Sequence, residues 1–341
     1  MRVWYMNRRI FLLVIIVLGG GMMGIFAYIA GGIAQTVSYS AHAGPYPVEV
    51  LLQEWYDAKR DRMIPVKIYY PDGDQSFPVI IFSHGLGGSR RGYQYLGEHW
   101  ASHGFVSVHI QHPGSDEALL ENPVMARTKA RKAAKDPQNL INRPKDVHFA
   151  IDELLQRNRN EESYLYGHID PDRIGVAGHS FGAYTALVTA GRTFTDKQGH
   201  TIDLSDPRVK ACLAMSPPAR TLKEDRPTYA TFNRPCFHMT GTRDDSPIGK
   251  TTAAQRRIPF DAISAPDQYL VTFTDGDHQI FSGRVTIRNP ADRKDPIFQS
   301  YIKMASTAFW DAYLNQNEHA KQWLQGSFQK ILGADGVFEQ K

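Results

Sequence analysis

The sequence predicts an α/β fold whose mostly parallel central sheet is covered by helices on both faces. Short apolar runs of strand length recur along the chain, and stretches with a helical spacing of apolar residues separate them. Strands that alternate with helices form parallel sheets with helices on both faces. Since no internal repeat or linker interrupts this alternation, we expect residues 44–341 to form one domain.

The predicted strands are apolar runs bounded by turn residues. They cover residues 66–70, 78–82, 105–110, 174–177, 209–215, 236–240 and 269–273. Predicted helices end at Gly104, begin near Pro144, follow the fourth strand at 183–190 and close the domain at 301–314. The connection 113–141 is long enough to be a functional loop or a small cap insertion.

Residues 1–43 predict a signal peptide or a membrane anchor. Three arginines within residues 1–9 precede an uncharged run at 10–34, and Ala41-His42-Ala43 resembles a cleavage site. The run is long enough to cross a bilayer, so membrane association through residues 10–34 is the alternative to cleavage. Asn7-Arg8-Arg9 also resembles part of a twin-arginine signal. In either case we expect the domain to be exported to the periplasm or the extracellular space.

Net charge and cysteine content indicate which partners and sites the sequence does not favour. The formal charge of +4 includes the three N-terminal arginines, so the rest of the chain is close to neutral and no nucleic-acid partner is indicated. Cys212 and Cys236 are too few for a disulfide framework, and no Cys/His spacing indicates a metal site. Both lie in predicted strands, and whether they pair with each other stays open.

The pentapeptide Gly178-His179-Ser180-Phe181-Gly182 fits the pattern G-x-S-x-G, which is weak by itself. Here an apolar strand ends at Ala177 and a helical stretch begins at Ala183. This strand–turn–helix setting is that of a nucleophile elbow. It predicts that Ser180 attacks a carbonyl carbon.

A serine nucleophile needs a base, and the base needs an acid that orients it. In this kind of fold the acid and the histidine follow the serine in the chain, each on a loop after a strand. Asp244 lies at such a position after residues 236–240, and its neighbour Asp245 is the competing candidate. His278 follows the last predicted strand, whereas the later His319 lies in a polar run typical of a helix surface.

Backbone N–H groups would complete the site as an oxyanion hole. The glycine-rich segment His84-Gly85-Leu86-Gly87-Gly88 follows an early buried strand, where this fold supplies one donor. We therefore predict the N–H groups of Leu86 and Phe181 as the two donors. His84 and His179 are interpreted as structural, and so are His109 and His112 at a strand end.

These segments, together with Gly241-Thr242-Arg243-Asp244-Asp245 and Gly276-Asp277-His278, resemble the α/β-hydrolase superfamily. More narrowly, they resemble its dienelactone-hydrolase-like and platelet-activating-factor-acetylhydrolase-like group. The resemblance implies the α/β-hydrolase fold and a cofactor-free serine esterase that works through an acyl-enzyme. Two features depart from the group. Dienelactone hydrolases use a cysteine nucleophile, and acetylhydrolases place the acid one strand earlier, where this chain has Met215-Ser216-Pro217-Pro218-Ala219 without a carboxylate.

The expected substrate is a small-molecule or lipid ester. The alternatives within enzymes are a lipase, a phospholipase-type hydrolase or a polyester hydrolase, since acyl-chain length cannot be read from these motifs. The alternative of another class is a non-catalytic ligand-binding protein on the same scaffold.

Overall fold

A computed structural model describes residues 38–196, 198–283 and 294–341. The predicted signal peptide or anchor lies almost entirely outside these residues and stays a prediction. Within the described residues, no helix is both long and apolar enough to cross a membrane.

The described chain forms a nine-stranded mixed sheet. Its strands are β1 Val48–Asp57, β2 Arg62–Pro71, β3 Phe77–Ser83, β4 Val106–Ile110, β5 Ile169–His179, β8 Val209–Met215, β9 Cys236–Arg243, β10 Gln268–Asp277 and β11 Gly336–Gln340. Their order in the sheet is β1-β2-β4-β3-β5-β8-β9-β10-β11. The strands from β4 to β10 in this order run parallel, and the edge pairs β1–β2, β2–β4 and β10–β11 are antiparallel. A separate hairpin pairs β6 Phe194–Thr195 with β7 Thr201–Ile202.

Helices cover both faces of the sheet, as the alternation predicted. Their bounds are α1 Gln94–Ser102, α2 Pro123–Lys135, α3 Pro137–Asn158, α4 Phe181–Ala190, α5 Leu222–Asp225, α6 Ile258–Ala262, α7 Asp295–Leu314, α8 Glu318–Gly326 and α9 Phe328–Leu332. Side chains alternate across β3. Ile80 and Phe82 belong to the apolar core that includes side chains of α1, α7 and α8, whereas Val79 and Ile81 belong to the core that includes side chains of α3 and α4. The two apolar cores fix the sheet between the helical layers. The fold is that of an α/β-hydrolase, as predicted.

Three parts of the sequence prediction are wrong in detail. The helix expected to begin near Pro144 begins at Pro137, where Asp136 caps it, and Pro144 lies in its interior. The helix ending at Leu314 does not close the domain, because α8, α9 and β11 follow it. The edge strands β1 and β11 were not predicted, since half of their side chains face solvent and interrupt the apolar pattern.

Two features left open by the sequence can be described. Cys212 and Cys236 are free and buried, and they are register partners on the adjacent parallel strands β8 and β9. The connection 113–141 contains the 3₁₀ turn Glu117–Leu120, helix α2 and the first turn of α3. Its basic side chains on α2 are mostly exposed.

Candidate active site

The turn between β5 and α4 is tight because its neighbours leave no room for side chains at two glycines. A Cβ atom on Gly182 would lie 1.8 Å from the carbonyl oxygen of Ser83, and one on Gly178 would lie 2.2 Å from that of Gly182. Ser180 has a φ angle of 56°, in the left-handed region, which costs about 1–3 kcal/mol for a residue with a side chain. This geometry puts the half-buried Ser180 at the start of α4 and at the carboxyl edge of the sheet.

Ser180, His278 and Asp244 form a continuous hydrogen-bonded chain. The Nε2 atom of His278 lies 3.0 Å from the Oγ atom of Ser180, and its Nδ1 atom lies 2.7 Å from Oδ1 of Asp244. The three residues come from the ends of β5, β9 and β10, which lie at the same edge of the sheet because these strands are parallel. The structure therefore brings together the three side chains that the sequence singled out.

The competing acid Asp245 points elsewhere. Its carboxylate is exposed and accepts a hydrogen bond of 2.8 Å from the backbone N–H of Ala253. Asp244 is fully buried, and its second oxygen accepts hydrogen bonds from the hydroxyls of Ser216 and Thr240. These two donors hold the carboxylate while Oδ1 faces the imidazole. A role for the Ser216 hydroxyl was not predicted from the sequence.

Arg256 is a second group near the acid that the sequence did not reveal. Its buried guanidinium donates to the carbonyl oxygens of Asp244 and Ser216, at 3.1 and 2.8 Å, and its Nη2 atom lies 3.3 Å from Nδ1 of His278. Burial lowers the pKa of this guanidinium, and the Asp244 carboxylate opposes that shift. In the sequence, Arg256 lies in the run Gln255-Arg256-Arg257, which looks like an ordinary solvated surface.

The predicted oxyanion donors lie on two segments that meet at Ser180. Leu86 and Phe181 line the same cleft as Ser180 and His278. Among the described residues, neither backbone N–H donates a hydrogen bond, whereas the next one along, that of Gly87, donates to the carbonyl oxygen of Ser115. Two N–H groups are thus left available on residues that line the same cleft as Ser180.

The four histidines interpreted as structural are all buried. Nε2 of His84 accepts from the backbone N–H of His112, and Nδ1 of His179 pairs with the Tyr93 hydroxyl. Burial is the main cause that lowers the pKa of His84 and His179 well below the usual value, with nearby Arg143 and His278 acting in the same direction. These rings are therefore neutral supports of the loops that carry Leu86 and Ser180.

A cleft of about 1170 Å³ opens above Ser180. Its walls come from the β3 loop, from α4, from the hairpin β6–β7 and from the segments that follow β8 and β9. The connection 113–141 contributes Leu120, Ala134 and Leu140. This segment therefore forms part of the cleft wall. Most drug-sized ligands occupy pockets of roughly 300–1,000 Å³.

A second Ser–His–Asp cluster is buried near the ends of β3 and β4. His112 bonds Ser83 Oγ through Nε2 at 3.0 Å and Asp146 through Nδ1 at 2.9 Å. All three side chains are fully buried, and the carboxylate also binds Arg60 and Arg62. Burial raises the pKa of Asp146, but the hydrogen bonds from His112 and Arg62 outweigh it, so the pKa is lowered. We refer to Ser83, His112 and Asp146 as the buried cluster.

The α/β-hydrolase fold and the serine site define the class of this protein as an ester hydrolase, and comparisons with known proteins agree. The family model described as "Platelet-activating factor acetylhydrolase, isoform II" matches residues 48–162. Platelet-activating factor acetylhydrolase of Cavia porcellus is 23% identical over 323 residues, which are 86% of this chain and 68% of that protein. The enzyme of the same name from Bos taurus is 25% identical over 282 residues, 73% of this chain and 60% of that protein. Cutinase est1 of Thermobifida alba is 28% identical over 125 residues, 37% of this chain and 34% of that protein.

Within that class, the chain is similar to the platelet-activating factor acetylhydrolases along most of its length and to cutinases along a shorter part. The resemblance predicted from the motifs is confirmed. The chain spans 60–68% of the length of the two acetylhydrolases named above.

Proposed function

We propose that this protein hydrolyses carboxylic esters, with Ser180 as nucleophile, His278 as general base and Asp244 as the acid that orients it. The observation that carries the proposal is the unbroken chain from Ser180 Oγ to His278 Nε2 at 3.0 Å and from His278 Nδ1 to Asp244 at 2.7 Å. A neutral imidazole bonded in this way carries its proton on Nδ1 and accepts on Nε2. It is thereby ready to take the proton of the serine hydroxyl.

The reaction would proceed in two steps. Ser180 Oγ adds to the ester carbonyl carbon as its proton passes to His278, and the electron pair of the C=O bond moves onto the oxygen. The N–H groups of Leu86 and Phe181 would bind this oxyanion, and each such donor is typically worth about 10²–10³ in rate. Collapse expels the alcohol, which takes the proton from His278. Water then attacks the acyl-enzyme in the same way and releases the acid.

The test is hydrolysis of p-nitrophenyl acetate by the purified full-length chain and by Ser180→Ala. We expect turnover that the substitution abolishes. Turnover that survives in Ser180→Ala would exclude Ser180 as nucleophile. A folded wild-type protein that a fluorophosphonate probe fails to label at Ser180 would favour the non-catalytic ligand-binding alternative.

The size of the cleft favours esters larger than acetates. A volume of about 1170 Å³ is larger than most pockets for drug-sized ligands. The name acetylhydrolase refers to a short acyl group, whereas the name cutinase refers to the polymer cutin. We propose a medium-chain or lipid ester as substrate, which a higher kcat/KM on p-nitrophenyl octanoate than on the acetate would support. A strong preference for the acetate would contradict it.

We further propose that residues 1–43 direct the protein out of the cytoplasm, either as a cleaved signal or as an anchor. Arginines ahead of an uncharged run support this orientation. The test is expression in a Gram-negative host, followed by fractionation and sequencing of the mature N-terminus. A mature chain that begins near Gly44 would indicate cleavage, and an intact chain in the membrane fraction would indicate an anchor. An intact chain in the cytoplasm would overturn the proposal.

A further inference from the structure

Arg143 is a fully buried cation that contacts no carboxylate of the described residues. It projects from α3 and has no exposed surface. Within the part of the chain that the structure describes, no Asp or Glu oxygen lies within 4.0 Å of its guanidinium. Asp146 lies one turn along α3, but its carboxylate binds Arg60, Arg62 and His112. Burying an arginine without a direct ionic partner costs free energy. The hydrogen bonds of the guanidinium therefore hold this side chain in place.

The three hydrogen bonds of Arg143 reach three different segments around Ser180. Nε donates to the Thr185 hydroxyl at 2.9 Å, Nη1 donates to the Ser115 hydroxyl at 2.8 Å, and Nη2 donates to the carbonyl oxygen of His84. The guanidinium also stacks on the ring of Phe181, with Cζ 4.7 Å from the ring centre. A planar fork with fixed N–H directions is well suited to joining groups in this way.

These segments carry the two predicted oxyanion donors. The carbonyl of His84 lies two residues before Leu86 on the β3 loop, whereas Phe181 and Thr185 lie in the first turns of α4. Ser115 lies in the loop after β4, and its carbonyl oxygen accepts a hydrogen bond from the N–H of Gly87, the residue after Leu86. One side chain thus ties the loop that presents one N–H group to the helix that presents the other.

We propose that Arg143 is a positioning residue for the oxyanion hole, which sets the distance between the N–H groups of Leu86 and Phe181. The inference rests on the proposed esterase function. Two donors must point at one oxygen, and a misplacement of about 1 Å can cost about 10² in rate. Arg143 therefore acts on the transition state, where the oxyanion exists, and has little effect on binding of the planar ester.

The test compares Arg143→Met and Arg143→Lys with the wild type on p-nitrophenyl octanoate. Arg143→Met is expected to lower kcat about 10- to 100-fold with KM nearly unchanged, because the hole loses its alignment but keeps both donors. Arg143→Lys keeps the charge and one hydrogen bond, so we expect it to recover part of the loss. A trifluoromethyl ketone, which adds to Ser180 and carries an oxyanion in the adduct, should bind Arg143→Met more weakly by about the same factor as kcat falls.

A pair of threonines keeps the test decisive if Arg143→Met does not fold. Thr185 and Thr189 are both buried on α4, and both donate their hydroxyl to the carbonyl four residues earlier, but only Thr185 also accepts from Arg143. We expect Thr185→Val to lower kcat several-fold, by about the value of one charge-assisted hydrogen bond, and Thr189→Val to leave it unchanged.

The outcomes distinguish a failure of the proposal about Arg143 from a failure of the proposed esterase function. Equal kcat in Thr185→Val and Thr189→Val, or an Arg143→Met variant that keeps its kcat, would overturn the positioning role while Ser180-dependent turnover persists. A rise in KM without a fall in kcat would also overturn it, because that pattern indicates lost substrate binding. Absence of Ser180-dependent turnover in the wild type would instead overturn the esterase function, and the inference about Arg143 would fall with it.

Discussion

The hydroxyl of Ser216 donates a hydrogen bond to Oδ2 of Asp244, the carboxylate oxygen that His278 does not use. Ser216 follows the end of β8, and Asp244 follows β9, the neighbouring parallel strand. Acetylhydrolases of the group that the sequence resembles place their acid at the end of the earlier strand. Here that position instead supplies a hydroxyl that bonds Asp244, the proposed acid, one strand later.

This support predicts a modest loss of rate when either hydroxyl on Asp244 is removed. Ser216→Ala and Thr240→Val should each lower kcat/KM by about tenfold, since a hydrogen bond to a charged group contributes about 1.5 kcal/mol or more. Thr242→Val is the matched control, because Thr242 lies on the same strand and bonds the N–H of Asp275 instead. Equal effects of Thr240→Val and Thr242→Val would contradict a specific contribution to Asp244.

The two neighbouring aspartates should differ sharply in their effect on activity. Asp244→Asn should lower kcat by about 10³- to 10⁴-fold, because an amide cannot hold the imidazole in the required tautomer. Asp245→Asn should stay within about threefold of the wild type, since its exposed carboxylate only bonds the Ala253 N–H. Steady-state kinetics on p-nitrophenyl esters would check both, with the unfolding midpoint as control for folding. A large loss in Asp245→Asn would reverse the assignment of the acid.

Buried neutral histidines predict that the protein loses stability in mild acid. Burial is the main cause that lowers the pKa to about 3 for His99, His109, His112 and His238. The unfolded chain has the ordinary pKa of about 6.5, so between pH 6.5 and 3 it binds more protons than the folded chain. The free energy of unfolding therefore falls as the pH falls through this window, by up to about 1.4 kcal/mol per pH unit for each histidine.

Urea unfolding at pH 7.5, 6.5 and 5.5 would measure this dependence. His238→Leu should flatten the curve below pH 6.5, because it removes one fully buried imidazole. His200→Gln is the control, since His200 is largely exposed. A stability that stays constant down to pH 5.5 would contradict the prediction.

The close contact between the nucleophile turn and β3 predicts that Gly182 cannot be replaced. A Cβ atom there would lie 1.8 Å from the carbonyl oxygen of Ser83, so Gly182→Ala should destabilise the fold by several kcal/mol or abolish soluble expression. Gly326→Ala in α8 is the matched control, because among the described residues no atom outside its own stretch of helix lies within 4 Å of the added methyl group. That variant should gain about 0.5–1 kcal/mol from helix propensity. Thermal unfolding of the two variants and the wild type would measure both changes in stability.

Sequence alone predicted the parts of this molecule whose signals are local. Ser180, Asp244 and His278 each follow an apolar strand, and parallel strands bring such positions to one edge of the sheet. The interior position of Pro144 was missed because proline is most common in the first helical turn, and the cap at Asp136 gave a weaker signal. Ser216, Arg256 and Arg143 were not found as site residues. Their contacts join segments 12 to 59 residues apart, and a buried arginine has the same sequence signature as a solvated one.

The buried cluster has a consequence for recognising enzymes by their side chains. Ser83, His112 and Asp146 reproduce the distances of the site at Ser180, yet no carbonyl carbon could reach Ser83, which has 1% of its surface exposed. A geometric template of serine, histidine and aspartate would match this chain twice. The proposed nucleophile Ser180 differs from the hydroxyl of Ser83 in lining an open cleft. Template searches therefore gain specificity when they require an accessible approach path as well as three matching atoms.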